Sequence, residues 1–218
     1  MFTNAVIDIS HYEEPVDFNQ VLSEGIVAVI SKATNGPLGI DKTHTPRRTT
    51  AKGLGLLWGS YHFGTGEADG VTQAKHFLAA IGVPNSDLIS LDFEPYVDSK
   101  GHQIGPNMTL SQAVEFVQEI KTQLGRYPFL YGGSLLKEKL GDHQNPVLAK
   151  CPLWLAQYPE HSDQLPTWPK NWKNWTLWQY TDGSVGPEPH TVMGIGRCDR
   201  NQYIDTQAHL VANWPLTK

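Results

Sequence analysis

The run Ile89-Ser90-Leu91-Asp92-Phe93-Glu94 places two carboxylic acids two residues apart at the end of an alternating stretch. Ile89, Leu91 and Phe93 are apolar; Ser90, Asp92 and Glu94 are polar, the pattern of a strand with one buried face. On a strand such residues have α-carbons roughly 6.5 to 7 Å apart. Their carboxyls then fall within the separation of about 5 to 9.5 Å at which carboxyl pairs act on a glycosidic bond. Close carboxylates repel, so one of them holds its proton toward neutral pH. A proton-holding acid is what a glycosidic oxygen needs as it leaves. A solvated strand end is the plainer account of an isolated D-x-E. The residues at the other strand ends argue against it.

Short apolar runs alternate with helical patterns along the chain. Strands are expected at 5–10, 26–34, 55–63, 87–95, 127–133, 152–158 and 176–181, with a final short one at 198–204. Helices are expected after Asp17 (an N-cap, with Gly25 as the stop), near 41–52 and 68–81, and at 109–124. In the last of these Leu110, Ala113, Val114, Val117, Ile120 and Leu124 follow the helical period. A helix after 160 is weak or absent, because Pro and Trp dominate there. This alternation predicts an α/β fold with a mostly parallel sheet, either open and doubly wound or closed into a barrel. A barrel gathers its site at the C-terminal ends of its strands.

The two-residue period assigns a face to each side chain. Asp8 shares one with Val6 and Ser10, Tyr61 with Gly59 and Phe63, and Tyr131 with Phe129 and Gly133. Trp154, Ala156 and Tyr158 share another, opposite Leu153 and Leu155; Trp178 and Tyr180 lie opposite Leu177. Aliphatics are expected to face covering helices, and acids and rings a common centre. Lys32, at the end of the second strand, is a candidate partner for a site acid.

The chain has 218 residues and a net charge of −5, sufficient for one domain and without the basic excess of a nucleic-acid binder. Arg47 and Arg48, with Lys42 and Lys52, read as a solvated helix face. Seven Trp residues suit stacking on sugar faces, although cores also use Trp. Cys151 and Cys198 form no CxxC, and their pairing is left open. No basic-then-apolar leader is visible, and no apolar run approaches the roughly 18 residues of a membrane span. Asp8, His11, His62, Asp92 and Glu94 could be read as metal ligands. No HxH or HExxH occurs and His62 alternates away from the acids, so neither metal nor cofactor is expected. The nucleophile elbow GxSxG is missing, and residues 132–136 read as a strand-to-helix turn with Ser134 as N-cap. GxGxxG and the Walker loop are missing too.

The segments AVIDISHYEEPVDF, SKATNG, GSYHF, LDFEP, FLYGG, LWLAQY, LWQYTDG and CDRNQY come in an order that resembles glycoside hydrolase family 25, the Chalaropsis-type lysozymes or N-acetylmuramidases. The resemblance covers about residues 5–204 of a chain read as a single catalytic domain, 1–218, without a separate wall-binding module. It implies a flattened, irregular TIM-like β/α barrel with fewer helices than strands. It also implies cleavage of the β-1,4 bond between N-acetylmuramic acid and N-acetylglucosamine in peptidoglycan, with Glu94 as general acid and base. Asp92 would orient the substrate's 2-acetamido group, while Asp8 and Asp199 complete the acid set. A double displacement with Asp92 as nucleophile and an inverting route stay open on spacing alone. Tyr61, Tyr96, Tyr131, Trp154, Tyr158, Trp178 and Tyr180 are the candidate groove residues. The stretch between Thr181 and Asp199 is longer than the family's usual turn and is expected to shape one groove wall. The alternatives are a catalytically silent peptidoglycan- or chitin-binding domain and a chitinase-like glycosidase. The expected partner is the glycan strand of peptidoglycan, bound by a monomer, with neither nucleic acid nor membrane involved. The place of action is the bacterial wall, reached through a holin, a secretion system or a leader already removed.

Overall fold

In the computed structural model, which describes residues 2–82, 86–161 and 163–217, the alternating runs close into a ring. The strands are β1 (Thr3–Ile9), β2 (Ala28–Asn35), β3 (Gly39–Ile40), β4 (Leu57–Phe63), β5 (Leu88–Asp92), β6 (Phe129–Gly132), β7 (Leu153–Ala156), β8 (Leu177–Thr181), β9 (Thr191–Val192), β10 (Gly196–Arg197) and β11 (Asp199–Tyr203). Eight of them form a closed barrel in the order β1-β2-β4-β5-β6-β7-β8-β11. Neighbours from β1 round to β8 run parallel. β11 is antiparallel to both β8 and β1 and seals the ring between them. Closure leaves no long strand edge unpaired.

The helices are α1 (Phe18–Ser23), α2 (His44–Gly53), α3 (Gly70–Ile81), α4 (Leu110–Leu124), α5 (Ser134–Leu140) and α6 (Gln207–Asn213). Their ends follow local chemistry. Asp17 accepts from the Asn19 and Gln20 backbone amides at the start of α1. Thr109 and Gln112 form a reciprocal capping box on α4. Residue 133 takes the cap position of α5 without a side-chain hydrogen bond, so Ser134 is the first helical residue and not the expected cap. α3 and α4 approach so closely that a Cβ on Gly70 would sit 1.9 Å from the Gln112 carbonyl oxygen.

Val6, Ala28, Ile30, Leu88, Phe129 and Leu177 fill the barrel interior. Outside it, Ile89, Leu91 and Phe93 pack under α3 and α4, and Ile7, Ile9 and Val29 pack under α1 and α2. No helix covers β7 and β8 among the described residues between 157 and 176. Trp172, Trp175 and Trp178 fill that layer instead, with the Trp175 and Trp178 rings 5.8 Å apart. This packing corrects one expectation. Trp178 and Tyr180 face outward into the tryptophan layer, and Leu177 and Gln179 face inward. The narrow barrel interior takes a leucine and an amide there, while the uncovered outer face needs large rings.

The basic residues in and beside α2 are only in part a solvated face, with Lys42 and Lys52 exposed. Arg47 is buried and donates to the carbonyls of Ser10 and Glu13. Arg48 and Lys52 both bind the buried carboxylate of Asp87. Cys151 and Cys198 are free thiols, buried in separate outer clusters. The long stretch after Asp182 docks on α1: the Asp17 amide donates to the Gly194 carbonyl at 2.8 Å, and Val192 joins the cluster under α1. It braces the outside of the barrel.

Candidate active site

Asp92 ends β5, paired with Phe63 of β4 on one side and Tyr131 of β6 on the other. The chain leaving the strand stays held by both neighbours. The Gly64 amide donates to the Asp92 carbonyl and the Phe93 amide to the Tyr131 carbonyl, each at 2.9 Å. Phe93 points outward into the core, so Asp92 and Glu94 project inward on either side of it. Across the barrel, Asp8 of β1 is in register with Asp199 of β11. The four acids thus converge, and with Tyr61, Tyr131 and Trp154 they line a single cavity of about 300 Å³ at the C-terminal end of the parallel strands.

Asp8 is the best-anchored of the four. The Gln179 side-chain amide donates to both of its carboxylate oxygens at 3.0 Å, and the Asn201 amide donates to one of them at 2.8 Å. Those amides are fixed in turn. Gln179 accepts from the hydroxyls of Tyr131 at 2.7 Å and Tyr158 at 2.5 Å, and Asn201 accepts from the Trp154 indole at 2.6 Å. Gln179 and Asn201 were not singled out in the sequence. Asn201 carried a signal, since it stands two residues after Asp199 on the same strand face.

Burial governs the ionisation of the group. It raises Asp8 to about 6, against hydrogen bonds from Gln179, Asn201 and Asp199 that pull it down. Asp199 is pushed well above the carboxylate range by burial and then by the charge of Asp8. Burial, and next the charge of Glu94, raise Asp92 far above its usual value. Glu94 is raised to about 7 by burial and by Asp8, with Tyr131 and Lys32 acting the other way. Lys32 therefore opposes the rise of both Asp92 and Glu94, as expected of a cation beside site acids; its ammonium lies 4.9 Å from the centre of the Phe63 ring. Within the cavity, the buried Oδ1 of Asp92 makes no hydrogen bond among the described residues.

The expected groove residues divide. Tyr61, Tyr131 and Trp154 line the acid cavity, with the Tyr131 and Trp154 rings 4.6 Å apart. Tyr158 lines a second, adjoining cavity of about 630 Å³ that shares Glu94 with the first. Tyr96 stands on the loop after β5, its ring 5.9 Å from Phe63 and outside both linings. Trp178 and Tyr180 are in the outer layer. The histidines weighed as ligands are committed elsewhere: His11 to Asp41, and His62 to Thr34 and Gln73. A separate concavity of about 880 Å³ beside Pro15 and Pro46 holds no carboxyl pair.

A buried carboxyl held protonated near neutrality, beside a second carboxyl with a free acceptor atom and a cleft on each side, can donate a proton to an ether oxygen spanning the two clefts. Comparison with known proteins agrees with that chemistry. The sequence matches the family described as Glycosyl hydrolases family 25 over residues 7–188. It is 26% identical to Lysozyme M1 of Streptomyces globisporus over 215 residues, 94% of this chain and 69% of that protein. It is 29% identical to the N,O-diacetylmuramidase of Chalaropsis sp over 184 residues, 80% of this chain and 86% of that one. The bacterial lysozyme from Streptomyces coelicolor superimposes with a TM-score of 0.78 at 29% identity, covering 94% of both chains. Asp199 lies beyond the matched residues, and its place in the site comes from its pairing with Asp8. The chain belongs to glycosyl hydrolases family 25 and is a glycoside hydrolase.

Proposed function

We propose that this chain hydrolyses peptidoglycan, cutting the β-1,4 bond between N-acetylmuramic acid and N-acetylglucosamine, with Glu94 as general acid and base. The observation that carries the reading is the pairing of Glu94, raised to about 7, with the unpartnered Oδ1 of Asp92 in the same cavity. A 2-acetamido N–H is the donor that this oxygen lacks.

Its arrival favours the ionised form of Asp92 and leaves the proton on Glu94. Glu94 then gives that proton to the glycosidic oxygen as the C1–O bond breaks, and the substrate's own amide oxygen attacks C1. Asp92 holds the amide N–H and stabilises the positive ring so formed. In the second step the Glu94 carboxylate takes a proton from water, which opens the ring at C1 with net retention. Asp8, clamped by Gln179 and Asn201, and Asp199 supply hydrogen bonds to the sugar and set the local potential. The names of the related lysozymes and muramidases support the substrate class. The site of action is accordingly the bacterial cell wall.

Mass spectrometry of digested purified peptidoglycan tests the proposal. New reducing ends on N-acetylmuramic acid are expected, and their loss by a factor of about 10² to 10⁴ in folded Glu94→Gln. Full activity in that variant, or reducing ends on N-acetylglucosamine, would overturn it.

A further inference from the structure

Glu94 stands between two cavities. On one side lies the acid cavity; on the other lies the cleft lined by residue 133, Ser134, Lys137, Ala156, Gln157 and Tyr158. On the reading above, one sugar sits among the acids and the leaving sugar enters the second cleft. Lys137, on α5, lines that cleft and also the next one along, beside Trp168 and Lys170. It is the residue common to both, so a strand continuing past the cleaved bond runs over it.

Its charge is not used within the fold. The ammonium donates to the Gln157 side-chain oxygen at 2.6 Å, and no carboxylate lies within ion-pair distance of it among the described residues. Lys170, by contrast, is paired with Asp142 at 2.9 Å. Gln157 also accepts from the Thr167 amide at 3.0 Å, and the Trp178 indole donates to its backbone carbonyl at 2.8 Å. Gln157 is therefore rigid, and it fixes where the ammonium stands. A half-buried cation, held in place by a neutral acceptor and retaining further N–H donors, is arranged to receive an anion. Burial lowers its proton affinity.

Resting on the peptidoglycan reading, we propose that Lys137 is a specificity residue of the leaving side and binds a carboxylate carried by the glycan strand beyond the cleaved bond. Two groups offer that chemistry: the stem peptide, and the lactyl group once the peptide is gone. A neutral polysaccharide offers neither.

The test is binding of soluble glycan strands in the Glu94→Gln background, which holds strands without cutting them, alongside hydrolysis by the unmodified chain. Three probes are used: strands with stem peptides, strands stripped of peptide by an amidase, and strands whose carboxylates are blocked as neutral amides. Lys137→Gln is expected to weaken binding of a carboxylate-bearing probe by about tenfold, the scale of one charge-assisted hydrogen bond. Lys137→Arg is expected to restore most of it. Blocking the carboxylates is expected to weaken binding to the parent by a similar factor and to leave Lys137→Gln unaffected. A loss confined to peptide-bearing strands assigns the stem peptide; a loss confined to stripped strands assigns the lactyl carboxylate. Equal weakening of Lys137→Gln on all three probes, or none on any, overturns the inference. Failure of the unmodified chain to release reducing ends overturns the hydrolase reading separately, since the binding comparison does not depend on cleavage.

Discussion

The side-chain amide of Gln179 spans both carboxylate oxygens of Asp8 at 3.0 Å, joining the first strand of the barrel to its penultimate one in ring order. Behind it, the Tyr131 and Tyr158 hydroxyls converge on the Gln179 carbonyl oxygen, so the amide cannot flip without losing two donors. Asp8 is positioned by a polar chain that reaches four strands or strand ends. Partly satisfied networks of this kind are costly, and fully satisfied ones are rigid.

Replacing Gln179 with Met, similar in volume but without the donor, is therefore expected to loosen Asp8, which keeps the Asn201 amide, and to orphan both tyrosines. We expect kcat on peptidoglycan to fall by about tenfold or more, with a smaller change in KM, because the loss is of positioning. An NMR titration of the Asp8 carboxyl is expected to move above its value of about 6, since the largest opposing hydrogen bond is gone. An unmoved titration would mean that Gln179 does not hold this carboxylate.

Asp92→Asn keeps an oxygen that can accept an amide N–H but removes the charge. If Asp92 stabilises a positive ring, kcat should fall by roughly 10² or more while strand binding changes little. A proportionate rise in KM with unchanged kcat would instead make Asp92 a simple binding residue.

The ionisation of Glu94 predicts the pH dependence of both rate and stability. The protonated form is the active acid, so kcat/KM is expected to fall as pH rises through about 7. Stability has the same sign. A carboxyl whose folded value is raised binds more protons folded than unfolded, so stability is lost as pH rises from 4.5 toward about 7. Thermal melts are expected to show a lower Tm at pH 7.5 than at pH 5. Glu94→Gln should flatten that slope and raise Tm at pH 7.5, the stability regained there being on the order of 2 kcal/mol. A steeper loss of Tm in the variant would sink this account.

At the opposite end of β5, Asp87 is 1% exposed and accepts from Arg48 Nε at 2.6 Å and Lys52 Nζ at 2.5 Å. Asp87→Ala leaves two cations facing an apolar strand end. We expect a loss of roughly 2 kcal/mol, moderated because both cations reach solvent, with kcat almost unchanged. Denaturant melts and initial rates check the two halves.

The sequence by itself determined the eight barrel strands and, through the two-residue alternation, which residues share a face: Asp8, Asp92, Tyr131 and Trp154 each stand opposite the aliphatics of their own strand. These follow from local rules: apolar residues seek the helices, and β-strand geometry sends the next residue the other way. On β8 the same reasoning predicts Trp178 and Tyr180 as the inward pair, and the structure turns both outward. Alternation fixes which residues share a face and is silent about which face is inside. Only the tertiary structure decided that, because no helix stands between β7 and β8 among the described residues and the rings fill that layer, turning Gln179 toward Asp8. Arg47 and Arg48 show the same limit, since the buried carbonyls and the Asp87 carboxylate that receive them are distant in sequence. The pairing of Asp8 with Asp199 likewise needed the closing antiparallel strand, a contact between residues 191 positions apart that no local pattern encodes.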